Sequence, residues 1–400
     1  MKLFFLGPSS GLMKTWCSLF ADKHEVLHAT IPDRVDPKLF NIASARCLTD
    51  NGILNPNDFM GRMKIATRVV NGTKNFIGSE ALQPSYARVV PRAAGSLLTF
   101  LFQFSFLDRV RRIVSEEKPD FVEGHYLFPY GALAAFSRHQ RIVVCAWGSD
   151  VLIDCARNPY LKMLARKVFE KVLFAHGECA FIRNRAVRLG CPEEKFFVVP
   201  WGVDLELFSP QNRSDHIRAE YDIASDAPVI VSDRALAPIY KIDKIIRGFA
   251  LVKKRLPEAR LMILNDGVEK VKLLNLCKEL AISDSVHFTG MISREELPLF
   301  LTASNVYVQM PVSDSLSLSL QEAMACGLPI ITSKAGGNPE AVCGNGFLVN
   351  DHLEMAEKLL LILRHNIGRD LGKTSRQIAE KRFDRKANSS KMEALYKRLV

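Results

Sequence analysis

No Cys-x-x-Cys pair occurs among the nine cysteines of this 400-residue chain, and their number is odd. That spacing argues against a disulfide framework and a structural zinc site, and a reducing, cytoplasmic compartment is expected. No Asp-x-Asp triplet is present either, so the chain lacks that carboxylate pair as a metal site. Apolar runs are short. The N-terminal run Leu3–Leu6 stops at Gly7-Pro8, too brief for the core of a secretory signal. The richest stretch, Leu97–Leu107, has eight apolar residues in eleven, whereas a membrane span needs ~20. With 48% apolar and 24% charged residues, and ordinary contents of Gly (23) and Pro (19), disordered, collagen-like and low-complexity classes are excluded. Acids are in deficit, 43 against 54 Lys plus Arg, for a net charge of +11. No nucleic-acid recognition motif accompanies that charge, so a nucleic-acid partner is not expected.

Short β-branched and apolar runs alternate with helical stretches along the whole chain. The first half carries Lys2–Leu6, Val26–Ala29, Phe121–Glu123, Ile142–Ala146, Val172–Ala175 and Phe197–Val199. The second carries Val229–Val231, Leu261–Leu264, Val286–Thr289, Val306–Gln309, Ile330–Thr332 and Phe347–Val349. Such alternation predicts an α/β protein with doubly wound parallel sheets. Between the halves, Asp204–Ala227 is polar and holds Pro210, Asn212 and Asp215, the composition of an interdomain connection. The expected domains are 1–210 and 211–375, followed by a terminal helix over 376–400. Ile242, Ile245, Phe249 and Val252, spaced by three and four with charges between them, predict an amphipathic helix on the second sheet.

Asp314 and Glu322 stand eight positions apart, Glu322 on an expected helix that begins just after a strand and a loop. A helix N-terminus at the carboxyl end of a parallel sheet offers free N–H groups and a positive dipole end to a phosphate. A carboxylate one turn further in can accept hydrogen bonds from sugar hydroxyls. The helix reads Glu322-Ala-Met-Ala-Cys-Gly327, and Gly336-Gly-Asn-Pro-Glu340 follows. This order and spacing resemble glycosyltransferase family 4, the retaining nucleotide-sugar enzymes of GT-B fold. The resemblance implies two doubly wound Rossmann-like domains facing a central cleft, the first for the acceptor and the second for the donor, with 376–400 crossing back to the first. It implies that Glu322 binds the nucleotide ribose and that Asp314, in place of the family's first Glu, lies beside the donor sugar. Ser317, standing where the family usually has Gly, and Leu318 are donor-binding by the same resemblance.

Other segments match the same pattern. Leu189–Asp204 resembles the strand and turn leading into the linker, Leu264-Asn-Asp-Gly267 the family's Gly-Asp-Gly turn, and Val286–Met291 the strand and loop near the nucleotide base. Gly267 and Met291 are thereby donor-side candidates. Arg234 and Lys241 follow the first strand of the second half, where two cations can neutralise a leaving diphosphate without a metal. In the first half, Gly7-Pro-Ser-Ser-Gly11 lies between a strand and a helix, and Gly11 is a candidate for close backbone approach to the donor. Gly124-His125-Tyr126 and Trp147-Gly-Ser-Asp150 each end a strand. Trp147 stands where family members usually carry His. His125 is a candidate catalytic or acceptor-side group, with a structural role equally open, and Trp147 and Asp150 are acceptor-side candidates.

The function implied is retaining transfer of a sugar from a nucleotide diphosphate sugar, used as co-substrate with no cofactor or metal, to an acceptor hydroxyl. The alternative is a catalytically silent GT-B relative that binds a nucleotide sugar or a partner protein, motivated by Asp314, Trp147 and Ser317. Sugar, base and acceptor are not encoded in any side-chain pattern. Residues 51–115 hold nine bases against three acids around the Leu97–Leu107 run. An anionic partner is expected there, and a glycan or lipid-linked acceptor reached from the inner face of a membrane stands beside the simpler reading of a buried helix.

Overall fold

The structure is a computed structural model that describes residues 1–8, 11–21, 23–29, 45–47, 106–212, 216–365 and 367–399. Every predicted strand run forms a strand or overlaps one, and one further strand, Ala45–Cys47, joins the first sheet. In chain order the first sheet comprises β1 (Lys2–Leu6), β2 (Glu25–Ala29), β3 (Ala45–Cys47), β4 (Phe121–His125), β5 (Ile142–Ala146), β6 (Phe174–Gly177) and β7 (Phe196–Val198). The second comprises β8 (Val229–Ser232), β9 (Arg260–Ile263), β10 (Val286–Phe288), β11 (Val306–Gln309), β12 (Ile330–Ser333) and β13 (Gly346–Val349).

The spatial orders are β3-β2-β1-β4-β5-β6-β7 and β10-β9-β8-β11-β12-β13. β1 pairs in parallel with β2 and β4, and every pair in the second sheet is parallel. Both orders run outward, return to the first strand and wind the other way. The chain therefore reverses between β1 and β4 and again between β8 and β11, and connections leaving those neighbours diverge to opposite faces. A crevice outside the carboxyl ends of the strands is the geometric consequence, and it locates the residues to inspect.

The helix Ile242–Lys253 buries Ile242, Ile245, Phe249 and Val252 completely, as their spacing predicts. Met355 and Leu359 of the helix His352–Arg364 join the same core. Gly248 permits that packing, since a Cβ there would lie 2.8 Å from the His352 carbonyl oxygen. Asp351 starts the second helix by accepting the N–H groups of Leu353 and Glu354, both at 2.9 Å.

Contacts group the chain into two compact units, Met1–His176 with Ala186–Phe197, and Gly177–Arg185 with Val198–Leu399. The chain passes between them at 176/177, 185/186 and 197/198, and the polar segment near 210 lies within the second unit. The helix Arg385–Leu399 is counted with the second unit. No helix among the described residues is long and apolar enough to cross a membrane. The basic stretch up to residue 105, and with it most of Leu97–Leu107, lies outside the described residues. Phe106 and Leu107, at its end, are buried.

Candidate functional site

β8 ends at Ser232, and Asp233 and Arg234 leave the second sheet at its point of reversal; β11 ends at Gln309, and residues 310–317 lead to the helix Leu318–Ala325. Arg234 ties the two loops together. Its Nη1 donates to Ser317 Oγ at 2.6 Å, its Nη2 to Asp314 Oδ2 at 3.0 Å, and its guanidinium carbon sits 4.1 Å from the centre of the Tyr240 ring. Burial opposes the Arg234 charge most strongly, and Asp314 together with Tyr307, Tyr240 and Asp233 outweighs it, raising the guanidinium above its ordinary range. Burial pushes the Asp314 carboxyl above the usual range against the pull of Arg234, the Ser315 N–H and Asn338. Next to Arg234, Asp233 accepts from the buried Tyr307 hydroxyl at 2.7 Å.

Ser317 gains a structural explanation for its departure from Gly. It is the N-cap: its Oγ accepts from Leu320 N at 3.4 Å, and its N–H donates to Asn338 Oδ1 at 3.2 Å. Leu318 and Ser319 open the first turn, where N–H groups have no partner within a helix. Phosphate oxygens are natural acceptors for such groups.

The Gly-Gly-Asn-Pro-Glu motif supports Asp314 from behind. Gly336 has φ 58°, and a Cβ there would overlap the Asp314 carbonyl oxygen. Gly337 N donates to Ser315 O at 2.6 Å. Glu340, at the motif's end, accepts from Ala180 N at 3.0 Å and Phe181 N at 2.7 Å, closing the N-terminus of the helix Ala180–Arg188. That attachment brings in Glu178, which no sequence signal marks. Buried, it accepts from Gln321 Nε2 at 3.1 Å, and burial together with the Asp314 charge pushes its carboxyl well above the ordinary range.

Glu322 is 3% exposed, and its Oε1 lies 2.6 Å from Arg294 Nη2. Burial raises its carboxyl to about 7, with Arg294 working in the opposite sense. Lys241 is the N-cap of the helix Ile242–Lys253 and has a left-handed backbone, φ 50° and ψ 46°. A non-glycine residue held there is strained by about 1–2 kcal/mol. Gly267 lies against the loop after Arg234, where a Cβ would meet Leu236 O at 2.6 Å. Met291 is 81% exposed beside Gly290, whose surroundings are open. Of the sequence-derived donor set, Arg234, Asp314, Ser317 and Leu318 thus gather at the start of one helix, and Glu322 stands one turn further along it, against Arg294. Lys241, Gly267 and Met291 stand on loops at the carboxyl ends of β8, β9 and β10 in the same unit.

The acceptor-side candidates lie in the first unit. His125 is fully buried, its Nε2 2.9 Å from Glu123 Oε1, which also lies 2.8 Å from His176 Nε2. Phe5 and Trp16 pack edge-on against its ring. A side chain enclosed in this way fits the structural role that the sequence left open for His125 beside the catalytic and acceptor-side one. Asp150 is fully buried as well. It accepts from the N–H groups of Leu127, Trp147, Gly148 and Val151 at 2.8–3.2 Å, so its carboxylate organises the turn and not an acceptor. Trp147 remains partly exposed, its ring 6.3 Å from that of Tyr126, whose hydroxyl donates to Asp154 Oδ2 at 3.1 Å. Gly11 opens the helix Gly11–Ala21 after β1.

Residues 213–382 match the family described as glycosyl transferases group 1, and residues 66–202 match the glycosyl transferase 4-like domain. N-acetyl-alpha-D-glucosaminyl L-malate synthase of Bacillus anthracis is 23% identical over 305 residues, 74% of this chain and 79% of that protein. The GDP-mannose-dependent alpha-(1-6)-phosphatidylinositol monomannoside mannosyltransferase of Mycolicibacterium smegmatis is 26% identical over 246 residues, 58% of this chain and 63% of that protein. Among solved structures, sucrose-phosphate synthase from Thermosynechococcus elongatus superposes with a TM-score of 0.76 at 20% identity, covering 100% of this chain and 99% of that one. The two sheets of matching strand order, the grouping at the second point of reversal and these matches together make the chain a member of the family 4 glycosyltransferases, with the GT-B fold.

Proposed function

We propose that the protein transfers a sugar, with retention of configuration and without a metal, from a nucleoside diphosphate sugar to an acceptor hydroxyl. The observation that carries this reading is the bridge from Arg234 to Asp314 and Ser317 at the reversal between β8 and β11. A permanent cation and a helix N-terminus converge there, which suits a diphosphate, while Asp314 is placed to accept from a sugar hydroxyl. Lys241 supplies the second positive charge and Glu322 takes the ribose.

In the reaction the bond from the anomeric carbon to the leaving phosphate oxygen breaks as the bond to the acceptor oxygen forms on the same face. The acceptor proton passes to the departing phosphate oxygen. Arg234 and Lys241 stabilise the charge that grows on the diphosphate, a contribution made mainly in the transition state. The presence of the whole Arg234, Lys241 and Glu322 set favours a working donor site over a silent one. The relative described as a GDP-mannose-dependent phosphatidylinositol monomannoside mannosyltransferase supports a lipid-linked acceptor.

The test is release of nucleoside diphosphate from a panel of UDP-, GDP- and ADP-sugars with soluble and lipid-linked acceptors, before and after EDTA. Turnover that survives chelation and a product of unchanged anomeric configuration support the proposal. Inversion, strict metal dependence, or donor binding without turnover across the panel overturns it. Vesicle co-sedimentation separates the acceptor classes, with Arg109→Glu/Arg112→Glu as the weakened variant. Arg111 is kept because its Nε donates to Phe136 O and its Nη1 to Asp108.

A further inference from the structure

Arg294 lies in the loop after β10, in a segment where the sequence singles out only the backbone near Gly290 and Met291. Its guanidinium is 2.6 Å from Glu322 Oε1, and its central carbon stands 5.3 Å from the centre of the Phe208 ring. The two members of the pair differ in surroundings: the Arg294 side chain is 38% exposed and that of Glu322 only 4%. The carboxylate is therefore inside the fold and its counter-ion at the surface. Three other charged or titratable groups bear on Glu322. Asp233, after β8, disfavours its ionisation; Arg385, on the terminal helix, favours it; and Cys326, on its own helix, has its thiol pushed up by burial and by Glu322. Arg385 is itself weakened as a cation by burial and by Arg294. Arg294 thus provides the one direct ionic contact to Glu322 among the described residues.

We propose that Arg294 is a positioning residue for the nucleotide: it favours the ionised form of Glu322 and orients it through Oε1, leaving Oε2 to accept hydrogen bonds from the ribose hydroxyls. The proposal rests on the assignment of Glu322 to the ribose. A hydroxyl donating to a carboxylate makes a charge-assisted bond about twice as strong as one to a neutral acceptor, so the protonation state of Glu322 decides how well ribose is held. With its carboxyl already raised to about 7 by burial, removing Arg294 moves it higher still. At neutral pH the acid form then prevails, and the nucleotide meets a group that has lost its charge.

Isothermal titration with UDP and GDP, and with the 2′-deoxy form of whichever binds more tightly, tests this in the wild type, Arg294→Gln, Arg294→Lys and Glu322→Gln. Each protein is titrated from about pH 6 to about pH 9, with circular dichroism to confirm folding. Arg294→Gln is expected to bind on the order of tenfold more weakly near neutrality, to recover as pH rises, and to show a midpoint of pH dependence at least about one unit above that of the wild type. Arg294→Lys, which retains the charge, restores most of the affinity. Protonation of the diphosphate itself is common to all four proteins and cancels in the comparison. An Arg294→Gln loss of equal size at every pH, or no loss at any, overturns the proposal. If Glu322→Gln changes neither the affinity nor the preference for the 2′-hydroxyl, the ribose assignment itself fails, an outcome separate from the Arg294 pH profile.

Discussion

Glu322→Gln is expected to make the protein more stable, and the gain should depend on pH. Burial raises the carboxyl from 4.5 to about 7, and at about 1.4 kcal/mol per pH unit this amounts to roughly 3 kcal/mol. The sign follows from which state holds the proton more tightly. The folded protein binds it up to about pH 7 and the unfolded chain only up to 4.5. The stabilisation is therefore complete below 4.5 and lost as pH rises toward 7, so the wild type bears the full cost of an ionised, buried Glu322 above that range. Gln keeps the shape and removes the titration. The contact with Arg294 Nη2 survives in neutral form, because the Gln side-chain oxygen can still accept from the guanidinium. Urea denaturation at about pH 4.5, 6 and 8 should give variant and wild type of similar stability at the acid end, with the variant ahead by up to roughly 3 kcal/mol at the alkaline end. A variant that is less stable at the alkaline end, or a difference that does not change with pH, would refute the argument that this buried carboxylate is held at the expense of stability.

Arg234→Ala and Asp314→Asn should be coupled: their combined destabilisation in urea should fall short of the sum by about 1.5–3 kcal/mol, the range for hydrogen bonds to charged groups, and additive effects would deny the pair its importance. Arg234→Ala should also lower kcat by on the order of a hundredfold or more with a smaller change in KM for the donor, since its charge acts on the departing diphosphate; a change confined to acceptor KM would contradict that role. Gly336→Ala should inactivate the site with little change to the first unit, because its Cβ displaces the Asp314 backbone and its φ of 58° disfavours any side chain; wild-type donor affinity in this variant would disprove the support assigned to it. Phe249→Ala should cost about 3–5 kcal/mol in urea denaturation, as for other fully buried aromatics, and a loss under 1 kcal/mol would mean the core closes around the gap.

The α/β class, the strand positions and the helix start that carries Asp314 and Ser317 could be read from the sequence because each leaves a local trace. Strands show as short apolar runs, the helix of Ile242 and Phe249 as a 3.6-residue period, and the Asp314-to-Glu322 helix start as a fixed spacing. The amino-acid order alone also placed Arg234 after the first strand of its half, which is where the reversal of the sheet occurs. Contacts between residues far apart along the chain leave no such trace. Arg294 reaches Glu322 across 28 positions and Glu178 reaches Gln321 across 143, and neither acid nor base differs in sequence from an ordinary solvated charge. For the same reason the sequence could not choose between a structural and an acceptor-side His125, or foresee that Asp150 is surrounded by four backbone N–H groups, whereas the fold encloses His125 beside Glu123. A residue's type and neighbours in sequence determine what chemistry it can perform. Whether it faces ligand or core depends on where distant strands and loops pack around it, and for this protein only the tertiary structure decided that.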